Sequence, residues 1–164
     1  MQRIYGCRIP IFKIHPSKDW REDTIKTIDI YIYTACHARK TGPAVYRAIL
    51  EYVTVKTNIL IDEGKLEDTT KNRAVVEAAL RALHRIKKGE RMEIRIHTES
   101  EYFIRILKDL NRYAGADWQK ANKQNIKNAD LWKQIYVFAT LHKLRADLNL
   151  DKYNCKTILE GRFE

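Results

Sequence analysis

Hydrophobic and polar positions begin to alternate at residue 27. Ile28, Ile30 and Ile32 take every second place with Asp29, Tyr31 and Tyr33 between them, and the run closes at Thr34-Ala35-Cys36. A period of two over that length predicts a β-strand with one aliphatic face. Gly42-Pro43 marks a turn, and residues 44–53 and 57–61 read as two more strands in an antiparallel meander. The period then changes. Glu67-Asp68-Thr69-Thr70 opens a helix whose apolar stripe is Val76, Ala79, Leu80, Leu83 and Ile86. Arg73, Glu77 and Arg81 stand one turn apart on its other side, and Gly89 is placed as its C-cap. Met92, Ile94 and Ile96 predict a strand ending at Thr98-Glu99-Ser100, where Ser100 can cap a helix carrying Tyr102, Ile106 and Leu110. Gly115 breaks that pattern.

The stretch 117–132 has two halves. Asn128-Ala129-Asp130-Leu131-Trp132 reads as a helix start, with Asn128 as N-cap and Asp130 at the positive helix end. Before it, Trp118, Lys120, Lys123 and Lys127 mix an aromatic with cations in a segment too polar to be core. Such a loop suits a polyanion, although a solvated connection between helices has the same composition. Residues 142–150 read as a last strand and the tail 151–164 is ambiguous. At the other end, residues 1–26 contain Pro10 and Pro16 and no firm period, so an extension packed on a domain spanning 27–164 is expected. The order predicts an α/β domain: a mixed five-stranded sheet, its first three strands antiparallel, with helices packed on it.

Composition narrows the function classes. At 164 residues, 45% hydrophobic and 32% charged, the chain is a globular sequence long enough for a proper core. A net charge of +10 and a pI of about 9.5 favour an anionic partner such as nucleic acid. No apolar run approaches the roughly 18 residues of a membrane span, so no membrane role is expected. Cys7, Cys36 and Cys155 are odd in number and far apart, which supports neither a disulfide framework nor a metal knuckle. A reduced, cytoplasmic protein is expected.

Four short motifs then line up in one order. They are Tyr33-Thr34 with Gly42-Pro43 and Tyr46-Arg47-Ala48-Ile49-Leu50, then Thr69-Thr70-Lys71-Asn72-Arg73, Thr98-Glu99-Ser100-Glu101-Tyr102, and Lys127-Asn128-Ala129-Asp130-Leu131-Trp132 with Trp118 upstream. Together they resemble type 1 ribonuclease H over residues 28–150. The resemblance implies the ribonuclease H fold and a site in which four carboxylates hold two Mg²⁺ ions for phosphodiester hydrolysis. Position by position, the first-strand Asp corresponds to Ala35, the helix Glu to Val75 and the fourth-strand Asp to Glu99. After the last strand, Asp151-Lys152-Tyr153-Asn154-Cys155 stands where the resemblance implies a His-Ala-Gly-His loop. Asp29, Glu77, Glu160 and Glu164 are weighed as substitute carboxylates and set aside. Glu99 is expected beside His97 or Arg95, and Glu77 in solvent.

The implied binding elements fare better. Thr70, Lys71 and Asn72 occupy the helix start that the resemblance assigns to phosphate and minor groove, with Glu101 standing where an amide is implied. Cys36-His37 invites a nucleophile–base story, but neighbours on a strand point apart and no acidic orienter is identifiable. The reading is a fold kept and a metal site lost: a catalytically silent domain binding RNA, DNA or their hybrid through Thr70, Lys71, Asn72, Glu101, Trp118, Lys120, Lys123 and Lys127. It implies no cofactor, with Mg²⁺ only if the metal site is rebuilt. The alternatives are an active hybrid endonuclease with such a rebuilt site and a protein–protein adaptor that kept the fold.

Overall fold

Ile28, Ile30 and Ile32 form one buried face of strand β1 (Thr27–Cys36), as their alternation requires. The computed structural model describes residues 25–37, 39–148 and 151–161. Nearly all of the expected N-terminal extension, residues 1–24, lies outside them. β1 pairs antiparallel with β2 (Gly42–Val53), and β2 with β3 (Thr57–Thr69). Helix α1 (Lys71–His84) then crosses to β4 (Glu93–Thr98), which lies parallel to β1. Helices α2 (Glu101–Lys108), α3 (Leu110–Gly115) and α4 (Ala129–Leu141) lead to β5 (Lys143–Leu148), parallel to β4, and α5 (Cys155–Glu160) follows. The five-stranded sheet has the order β3-β2-β1-β4-β5.

The main core joins one sheet face to the helices, with Val76, Leu83, Phe103, Trp132 and Ile135 packed among the strand isoleucines. Each fully buried side chain of this kind contributes roughly 1.5–3 kcal/mol. A second, smaller cluster lies on the opposite face. There Tyr33, Val45 and Ile49 are covered by Cys155 and Leu159, which stand one turn apart on α5.

Three local expectations need correction. β3 runs on to Thr69, so Glu67, Asp68 and Thr69 belong to a strand and only Thr70 caps α1, its hydroxyl accepting the Arg73 N–H at 3.2 Å. β3 is an edge strand fixed by its backbone ladder with β2, and its outward Ile59 and Ile61 give no alternation of hydrophobic and polar positions to read. Its Gly64 is needed sterically: a Cβ there would lie 3.1 Å from Tyr46 Cε1. Gly89 does not cap α1. The helix ends at His84, and Arg85 stays right-handed with its N–H on Ala82 and Leu83 carbonyls. Asn128 precedes α4 in a left-handed conformation (φ 60°) and makes no side-chain cap; an asparagine tolerates that backbone, and its amide is used elsewhere.

A candidate nucleic-acid cleft at the ends of the parallel strands

β1 continues leftward to β2, whereas β4 continues rightward through the helices to β5. In an open α/β sheet, the carboxyl ends of strands at such a reversal leave a crevice. Here it is a cleft of about 500 Å³, and Ala35, Val75 and Glu99 all line it. Lys71, Asn72 and Glu101 line it too, from the first turns of α1 and α2. The three positions matched to metal ligands therefore converge in space, together with three of the eight expected nucleic-acid residues.

The cleft also contains a residue that the sequence reading missed. Lys156, in the first turn of α5, places its ammonium 2.8 Å from Glu99 Oε1. Glu99 was expected beside His97 or Arg95, but His97 pairs with Asp29 at 2.7 Å and Arg95 with Glu93. Lys156 was hidden in a tail without clear periodicity. Its position follows from tertiary ties: Asp151 accepts the Cys155 N–H at 2.8 Å, and Cys155 and Leu159 are buried beneath the sheet. Further back, Lys152 contacts both oxygens of the buried Glu51 at 2.9 Å, and the Tyr153 hydroxyl donates to the same carboxylate. Burial alone would raise the Glu51 pKa, but those hydrogen bonds and the Lys152 charge outweigh it and hold Glu51 below the usual range. Burial and the hydrogen bond to Glu51 push Tyr153 up to about 12. Burial likewise raises the Cys155 thiol, an inert packing residue.

A divalent ion of the Mg²⁺ kind takes hard oxygen ligands. The methyl of Ala35 and the isopropyl of Val75 offer none, and the Glu99 carboxylate is already ion-paired to an ammonium. The residues present do not fit the two ions that the sequence resemblance implies. Among the described residues, no group of three or more His, Cys, Asp or Glu side chains could hold a metal. Glu164 and the side chain of Glu160 lie outside the described residues. Glu77, expected in solvent, is half-buried and pairs with Arg81 at 2.9 Å. Cys36 and His37 reach the cleft wall, with Cys36 packed against the main core and His37 exposed.

The loop of residues 117–127 is corrected in one respect. Trp118 is only 7% exposed and meets Tyr136 edge-on, so it is core and not a stacking platform. With Ile126, also buried, it pins a small hairpin closed by the Gln119–Asn125 bridge, which leaves Lys120, Lys123 and Lys127 exposed. These lysines lie outside the cleft. The loop nonetheless ties to it, because the Tyr102 hydroxyl on the cleft wall donates to the Lys127 carbonyl at 3.0 Å. That hydroxyl accepts from Trp132 Nε1 and Asn128 Nδ2, each at 3.2 Å. Asn128 and Asp130 in turn receive Arg73 of α1, whose guanidinium grips both Asp130 oxygens at 3.0 and 2.6 Å. The Arg73 hydrogen bond holds Asp130 below the usual carboxylate range. Residues from three of the four sequence motifs thus form one polar lock between α1, α2 and α4.

A mixed sheet in this order, with α1–α4 packed on one face, α5 on the other and a cleft at the β1/β4 reversal, defines a ribonuclease H-like α/β domain. The family model "RNase H" matches residues 26–147. Ribonuclease H of Rickettsia canadensis is 34% identical over 123 residues, which cover 74% of this chain and 76% of that protein. Among solved structures, a type 1 RNase H with the type 2 active-site motif superposes with a TM-score of 0.66 at 17% identity, covering 84% of this chain and 70% of that one. The foamy viral protease-reverse transcriptase, solved in complex with an RNA/DNA hybrid, matches with a TM-score of 0.60 at 14% identity, over 93% of this chain and 21% of that one. The chain belongs to the RNase H family. Among the described residues, no helix is long and apolar enough to cross a membrane.

Proposed function

We propose that this is a catalytically silent RNase H-like domain that binds nucleic acid, with an RNA–DNA hybrid as the first candidate. One observation carries the reading: the positions matched to metal ligands hold a methyl, an isopropyl and a carboxylate paired to Lys156. Without hard ligands, no water is activated and no leaving oxygen is stabilised by a divalent ion. Binding needs less. The first turn of α1, with Lys71 and Asn72 exposed and Thr70 as its cap, is a natural phosphate contact. Lys120, Lys123 and Lys127 extend the cationic surface along an anchored hairpin, and the net charge of +10 supports an anionic partner.

Hybrid hydrolysis in Mg²⁺ or Mn²⁺ tests the first half, with no cleavage expected. Cleavage abolished by Glu99→Gln would establish a rebuilt site. Titration at several salt concentrations tests the second half. With about four to six phosphates engaged, log K should fall with log salt at a slope of roughly −4 to −5. Lys71→Ala combined with Lys123→Ala should flatten that slope by about one to two units.

A second reading, a protein adaptor that kept the fold, is favoured by the apolar end of the β2–β3 hairpin, where Val53, Val55, Ile59 and Ile61 are exposed. Absence of any nucleic-acid binding at low salt would select it.

A further inference from the structure

We infer that Lys156 is a tethered cation that holds one backbone phosphodiester of the bound strand in the cleft, so that the protein grips nucleic acid there without divalent ions. This rests on the nucleic-acid reading above and assigns the cleft's part in it. The ammonium lines the cleft with Lys71, and its side chain is 54% exposed while paired to Glu99. Its position is fixed from behind by the Asp151 cap, by the buried pair Cys155 and Leu159, and by the Glu51 contacts of Lys152 and Tyr153. A long flexible side chain on a freely moving tail would lose much of its binding energy to ordering. Here the stem is already placed, and Glu99 holds the head toward the cleft.

The charge balance identifies the ligand class. Two ammoniums, Lys71 and Lys156, face two carboxylates, Glu99 and Glu101, and the N-terminal turns of α1 and α2 add partial positive charge. A nearly neutral cleft is poorly suited to a free dianion such as inorganic phosphate or a terminal phosphomonoester. It suits a monoanionic phosphodiester delivered by a polymer whose neighbouring phosphates rest elsewhere, on Lys120, Lys123 and Lys127. Glu99 then has two effects. It orients the ammonium and also competes with the phosphate for it, so it moderates the affinity of the cleft.

The test is fluorescence anisotropy of a short labelled RNA–DNA hybrid in EDTA and in millimolar Mg²⁺ at matched ionic strength. The wild type should bind equally in both. Lys156→Ala should weaken binding several-fold and flatten the salt slope by about one, the loss of one phosphate contact. Lys156→Arg should keep both affinity and slope, and Glu99→Gln should tighten binding. Inorganic phosphate in equivalent amounts should compete no better than chloride at the same ionic strength. Binding that survives Lys156→Ala unchanged yet falls with Lys71→Ala and Lys123→Ala would overturn this inference and leave the basic-surface reading standing. Tighter binding in Mg²⁺ than in EDTA would also overturn it, by pointing to a divalent site. No binding by the wild type would end both readings.

Discussion

Replacing Tyr102 with Phe isolates the polar lock that joins α1, α2 and α4. The ring and its packing against Trp132 remain, and only the hydroxyl is lost. That oxygen accepts two hydrogen bonds and donates one. The three partners differ in their access to water. Lys127 is exposed and Asn128 half-buried, so their groups can be rehydrated at little cost. Trp132 is 0% exposed, and its indole N–H would be left buried without a partner. Such a donor costs about 1–3 kcal/mol, so a loss of about 2 kcal/mol is expected. For a chain of this size, that lowers the melting temperature by about 4–8 °C. Urea unfolding should show a lower midpoint with an unchanged m-value, because the surface exposed on unfolding is the same. Trp132→Phe removes the donor but also leaves a void. A double-mutant cycle of the two substitutions should therefore return a coupling of about 1 kcal/mol or more. A Tyr102→Phe cost below about 0.5 kcal/mol with no coupling would refute the argument, since the indole N–H would then be satisfied by something else.

Two further outcomes follow from the cleft and the β4–β5 edge. The triple variant Ala35→Asp, Val75→Glu, Glu99→Asp should melt lower than wild type in EDTA and regain part of the loss in millimolar Mn²⁺. Like carboxylates at 4 Å repel by about 4 kcal/mol at an effective dielectric near 20 before screening, and a ligand bound only to the native state stabilises it; an equal Mn²⁺ response in the wild type would expose a metal site already present. His142 is buried and its Nδ1 accepts the Met92 N–H at 3.3 Å; burial first, then the Arg91 charge, lowers its pKa. The unfolded chain therefore takes up that proton first, so stability should fall as pH drops from about 6.5 toward the lower folded value. His142→Asn should flatten that slope, and a native-state imidazole titrating at 6.5 or above by NMR would contradict it.

Most of the architecture was legible in the chain because hydrophobic periodicity is a local property. The isoleucines of β1, the stripe of α1 and the alternation of β4 each announce their element, and Thr70 and Ser100 cap the helices as their chemistry suggests. The convergence of Ala35, Val75 and Glu99 was legible too, but only through the ordered motifs, because strand and helix positions 64 residues apart from first to last share no local pattern. Tertiary structure decided the rest. β3 continues where its outward face is charged, because backbone pairing with β2 fixes an edge strand regardless of side-chain pattern. Trp118 and Ile126 are buried although their segment is mostly polar, since two apolar anchors suffice to pin a short hairpin. Lys156 reaches Glu99 because α5 packs on the sheet face opposite the main core. The small contacts that place it, Asp151 on a backbone N–H, Lys152 and Tyr153 on Glu51, and Cys155 and Leu159 under the sheet, join residues far apart in sequence. Their energy exists only once the sheet has formed.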